Sequence, residues 1–141
     1  MATETVVYVT YEEAVEAHIE LMHYLGETRF GVFDHSLIKS ALARPTWAAK
    51  YVGADLEAQA ATLLYGLIKN HPWVGGNKRT ATALTDMFLQ RNGLEIIAAV
   101  DKLVELVLAV EANEWLLPEI EDWMRQHVQR VGTAITAINQ S

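Results

Sequence analysis

The sequence predicts an all-α fold, on three observations. Apolar residues recur at spacings of three and four along most of the chain, residues suited to capping stand just ahead of these runs, and strand-like stretches are short.

Val6 to Val9 are β-branched or aromatic and are compatible with a short edge strand, although four residues are too few to decide it. Thr10 opens the first helix, because Thr10 with Glu13 matches a capping box and Ala14, Ala17, Leu21, Tyr24 and Leu25 follow at helical spacing. His18 and His23 lie about 140° apart around this helix, so they do not face one metal ion and read as structural. Gly26 ends it. Asp34 caps a second helix to about Ala43, and Arg44-Pro45 is expected to stop it. Residues 47–53 read as a short helical piece that places Trp47 and Tyr51 in the core.

Asp55 caps a long helix whose stripe is Leu56, Ala60, Leu63, Leu64, Leu67 and Ile68, running directly into His71. A central helix follows from Asn77 to about Arg91, apolar around most of its circumference and therefore surrounded. Leu94 to Ala98 suits a second short strand. Asp101 begins a helix with the stripe Leu103, Leu106, Val107 and Val110, and Pro118 starts another through Ile120, Trp123 and Met124. Residues 1–128 read as one domain. From Gln129 the tail, 129–141, keeps Val131, Ala134, Ile135 and Ile138 at helical spacing, as a packed or partner-facing helix would.

The chemistry concentrates in His71-Pro72-Trp73-Val74-Gly75-Gly76-Asn77-Lys78-Arg79-Thr80. The first N–H groups of a helix lack internal partners and carry partial positive charge, so Lys78 and Arg79 in the first turn are electrostatically misplaced by about 0.3 to 1 kcal/mol each. A phosphate over the turn reverses that penalty. Gly75 and Gly76 allow close backbone approach to such an anion, and His71 adds the residue type most suited to accepting a proton. A solvated helix connection with a basic first turn accounts for the composition about equally well, so the weight rests on the cluster.

These residues resemble the signature of the Fic/Doc superfamily: histidine, any residue, phenylalanine, any residue, an acid or amide, a small residue, asparagine, lysine or glycine, and arginine. Lys78 is similar to the Doc, or death-on-curing, branch. The segments 40–45, 61–70, 88–93 and 103–110 also look Doc-like, so that the resemblance covers about Tyr8 to His127. It implies a Fic-type helical bundle around the central motif helix. It further implies a toxin of a type II toxin–antitoxin system that transfers the γ-phosphate of ATP to a threonine of elongation factor Tu. His71 would be the general base. Gly75, Gly76, Asn77, Lys78, Arg79 and Thr80 would bind phosphate, Lys78 and Arg79 would also neutralise developing charge, and Trp73 would anchor the loop in the family's phenylalanine position. Gly31, Phe33 and Asp34 would belong to a flap, with Phe33 where the family pattern G-x-R-D has arginine. A cognate antitoxin with a disordered C-terminal segment is the implied partner, and Mg²⁺ the implied ion. Gly75 stands where the metal-binding acid or amide would be, so the metal ligands are unknown and three readings stay open: phosphotransferase, AMP-transferase, or a weakened protein that binds only nucleotide or antitoxin. Asp86 lies about 13 Å along the helix and is not an obvious substitute. A metal hydrolase has only the adjacent Asp34-His35 pair in its favour.

At 141 residues one domain is expected, burying roughly two-thirds of its unfolded surface. The net charge of −7 disfavours polyanions overall and makes direct DNA binding unexpected. With no cysteine, no basic leader and no spanning apolar run, a cytoplasmic protein without membrane contact is expected.

Overall fold

The helix start signals act as physical caps. The computed structural model describes residues 5–132. The Thr10 hydroxyl accepts the Glu13 N–H at 3.2 Å while the Glu13 carboxylate accepts the Thr10 N–H at 2.9 Å, closing a reciprocal cap on α1 (Tyr11–Tyr24). Asp34 accepts the N–H groups of Ser36 and Leu37 ahead of α2 (His35–Val52), and Asp55 that of Ala58 ahead of α3 (Leu56–Asn70). There follow α4 (Asn77–Arg91), β1 (Leu94–Ile96), α5 (Val100–Glu111), α6 (Leu117–His127) and β2 (Val128–Arg130). The fold is all-α as expected, its strands among the described residues forming one antiparallel pair with Leu94 opposite Arg130 and Ile96 opposite Val128.

The core is built on α3, which packs against α2, α4, α5 and α6. Ala60, Leu63, Leu64, Leu67 and Ile68 are buried along its length, with Leu84, Phe88 and Leu89 of α4 and Ile120, Trp123 and Met124 of α6 in the same cluster. Burying each leucine is worth about 2 to 3 kcal/mol relative to leaving it exposed. That fixes the rotation of α3 and with it the direction in which the chain leaves at His71.

Several local expectations are corrected. α2 does not stop at Arg44 but runs to Val52 with Pro45 buried inside it. Packing along α3 outweighs the about 3 kcal/mol that an interior proline costs. Trp47 and Tyr51 therefore lie on the outer face of α2, 55% and 63% exposed, their rings stacked at 5.0 Å. Residues Val6 to Val9 form no strand. Val7 instead exchanges two 2.9 Å hydrogen bonds with the side-chain amide of Asn92, which takes the place of a partner strand. The buried line of α1 is Ala14, His18 and Met22, while Tyr24 faces solvent. α5 begins at Val100, leaving Asp101 in its first turn, where a carboxylate suits the dipole. Gln129 and Arg130 belong to β2 and not to a helical tail, whose remaining positions 133–141 lie outside the described residues. Among the described residues no helix is long and apolar enough to cross a membrane.

Candidate active site at the start of the central helix

The stripe of α3 ends at Asn70, and His71 closes the helix in the left-handed conformation, φ 49° and ψ 54°. That conformation is uncommon for a residue with a Cβ and costs on the order of 1 kcal/mol, so its neighbours must hold it. The next turn does so. Trp73 is buried, its ring stacked at 4.1 Å on His18, and its indole N–H has no acceptor among the described residues. Asn77 clamps the turn from α4. Its Oδ1 accepts the Trp73 N–H at 3.0 Å, its Nδ2 donates to the Trp73 carbonyl at 2.9 Å, and the same nitrogen lies 3.3 Å from His71 Nδ1. The two backbone bonds fix the orientation of the amide, so Nδ2 is the donor and His71 Nδ1 the acceptor. The neutral His71 ring then carries its proton on Nε2, and Nδ1 can take up a further proton only once this long contact with Asn77 is exchanged.

Gly76 is the N-cap of α4 with φ 69°, a left-handed geometry that glycine adopts without strain. A Cβ at that position would also meet Met22 Sδ at 2.5 Å. Gly75 is constrained differently. A Cβ there would lie 2.5 Å from the carbonyl oxygen of Arg29, a backbone atom that cannot swing aside. The loop after α1 is docked onto the motif turn by the N–H groups of Phe33 and Asp34 on the Pro72 carbonyl, by Val74 N–H on the Gly31 carbonyl, and by a bridge between Val32 and Trp73.

An open cleft of about 390 Å³ results, lined by Glu27, Arg29, His71, Val74 and the residues 75–79. It is smaller than other hollows of the surface, and the chemistry singles it out rather than its size. Both misplaced cations have carboxylate partners: Lys78 Nζ lies 3.1 Å from Glu111 and Arg79 Nη1 lies 3.2 Å from Glu27, both pairs substantially exposed. Exposed pairs of this kind contribute about 0 to 1 kcal/mol, weak enough for an incoming polyanion to displace.

Most of the expected phosphate-binding stretch reaches the cleft, but two members depart from that role. The side-chain amide of Asn77 is consumed by Trp73 and His71, which leaves its backbone N–H at the head of α4 for a ligand. Thr80 faces inward, 1% exposed, with its hydroxyl 2.8 Å from His18 Nδ1. Nor do the flap residues line the cleft. Gly31 donates its N–H to His18 Nε2 at 2.9 Å, Phe33 is 72% exposed, and Asp34 is committed to Ser36 and Leu37, bonds that hold its carboxyl below the usual range. Asp86, at the far end of α4, accepts the Ile96 N–H and anchors β1.

Arg29 and Glu27, which line the cleft, and Glu111, which pairs with Lys78, are not among the residues expected from sequence. Glu27 is 52 positions from its partner Arg79 and Glu111 is 33 from Lys78, separations that only the folded chain closes. For Arg29 a signal exists: it is the lone base in the stretch between Gly26 and Asp34.

The residues present do not fit a divalent ion held by the protein. Gly75 offers no donor and has no room for one, Asp34 is engaged as a cap, and Glu27 serves Arg79. Among the described residues no three His, Cys, Asp or Glu side chains form a metal-holding group.

Against known proteins, the sequence profile described as the Fic/DOC family matches residues 8–89. A relative named Toxin Doc, from Mycolicibacterium smegmatis, is 42% identical over a region covering 67% of this chain and 79% of its own.

Proposed function

The chain belongs to the Fic/DOC family, and from that premise we propose that it is the toxin of a toxin–antitoxin pair, a protein phosphotransferase that uses ATP. The observation that carries the reading is the convergence of His71, Gly75, Gly76, Lys78 and Arg79 on one cleft at the head of α4. The oxygen of a target hydroxyl attacks the γ-phosphorus, the bond to the β–γ bridging oxygen breaks, and ADP leaves. His71 accepts the hydroxyl proton at the nitrogen freed when its contact with Asn77 is exchanged. Lys78 and Arg79 turn from Glu111 and Glu27 to the phosphates and offset the charge that builds on the transferred group. The target we propose is a threonine of elongation factor Tu, whose modification stops translation in the cytoplasm. A cognate antitoxin with a disordered C-terminal segment restrains the toxin, and the exposed Tyr24 and Phe33 offer apolar surface for such a segment to fold on.

The test is incubation with elongation factor Tu and ATP labelled at the α or the γ phosphate. Label from the γ position alone supports phosphate transfer, and label from the α position alone replaces it with AMP transfer. Gly75 favours a second reading, a protein that binds nucleotide or antitoxin without catalysis. Bound ATP with no label from either position selects it. His71→Ala should abolish transfer while leaving helical content intact, and a variant as active as the parent removes His71 from the chemistry.

A further inference from the structure

We propose that Arg29, reaching the cleft from the loop between α1 and α2, binds the phosphates of the nucleotide, so that triphosphate binding here does not depend on a divalent ion held by the protein. This rests on the reading of the cleft as a nucleotide site.

Two observations meet at Gly75. The Arg29 carbonyl oxygen stands 2.5 Å from the point a Cβ would occupy, and Arg29 Cγ, the beginning of its side chain, stands 3.9 Å from the same point. Arg29 therefore fills the space that a metal-holding side chain at position 75 would need. The loop has little freedom to retreat, since Gly31, Phe33 and Asp34 are bonded to His18, Val74 and Pro72 within five residues of Arg29.

Charge provides the second argument. Lys78 and Arg79 are each neutralised by a carboxylate, whereas among the described residues no carboxylate pairs with Arg29, although it lines the same cleft. A guanidinium left unpaired beside the free N–H groups of a helix start adds unopposed positive potential, and its forked donors suit two phosphate oxygens at once. Glycine at position 75 is consistent with that contact, because a negative side chain there would compete with phosphate for Arg29.

Calorimetric titration of the full chain with ATP, first in EDTA and then in excess Mg²⁺, tests this. The parent protein should bind in both conditions with affinities within about threefold of each other. Arg29→Gln should weaken binding in EDTA by about tenfold or more, the scale of one charged hydrogen bond, while its far-ultraviolet dichroism matches the parent. In the unmodified protein, ATP in EDTA should protect Arg29 from phenylglyoxal, read by mass spectrometry, which keeps the test independent of how the variant folds. Binding by the parent only with Mg²⁺, a well-folded Arg29→Gln that binds like the parent, or unprotected Arg29 each overturns the proposal and leaves the nucleotide reading standing. No heat in either condition overturns the nucleotide reading and this proposal with it.

Discussion

His18 and Thr80 meet at 2.8 Å in the core, tying α1 to the first turn of α4. Because His18 Nε2 accepts the Gly31 N–H, the neutral ring holds its proton on Nδ1 and donates it to the threonine hydroxyl. One imidazole thus spans α1, the loop that carries Arg29 and the helix that carries Lys78 and Arg79.

Burial lowers the pKa of His18 from 6.5 to about 4. The unfolded chain binds this proton near the higher value and the folded chain only near the lower one. Stability from the neutral ring is therefore full above the higher value and is lost as pH falls toward the lower, by up to about 3 kcal/mol. Melting temperature measured across that window should fall with acidification in the parent. The fall should be shallower in His18→Gln, and parallel curves for the two would place the acid sensitivity elsewhere.

Gly75→Asp restores an acid to the motif in sequence but not in space. Its Cβ would strike the Arg29 carbonyl, so the loop must move. The expected cost is about 1 to 3 kcal/mol, as for other overpacked sites, read as a lower urea midpoint. An unchanged midpoint would show that the loop yields easily.

Asn77→Ala removes both bonds to Trp73 and the one to His71. Leaving the buried Trp73 N–H and carbonyl unpaired costs about 1 to 3 kcal/mol for each group. Chemical denaturation should report a loss of about 2 to 6 kcal/mol for the two groups together, and the His71 ring should lose its fixed orientation, visible as a shift of its imidazole resonances. Resonances identical to the parent's would mean that Asn77 does not orient the ring.

Glu27→Gln frees Arg79 from its carboxylate. Because the pair is exposed, stability should change by less than about 1 kcal/mol and affinity for ATP should rise about two- to fivefold. Calorimetry decides, and unchanged or weaker binding would mean that Glu27 does not compete with phosphate.

The limits of α4 are legible in sequence because the Gly75-Gly76 pair and the left-handed Gly93 bracket a run most of whose apolar positions are buried. The same holds for α3 and its cap Asp55. The course of α2 past Pro45 is not, since local rules count the missing donor but not the surface of α3 that offsets it. At the cleft, backbone signals placed Gly76 and the head of the helix, whereas side-chain partners across 33 and 52 positions could only come from the fold. Thr80 illustrates the limit within a motif: the position immediately after Arg79, about 100° further around the helix, already faces the core.

Pro45 carries a consequence for the order in which the chain assembles. A peptide of α2 alone should fray at this residue, where the N–H that would bond to the Ala41 carbonyl is missing. The segment beyond it, which packs on α3, is then expected to consolidate on an α3 template after the rate-limiting barrier. Conservative substitutions at Ala48 or Ala49 should accelerate unfolding and leave the refolding rate nearly unchanged.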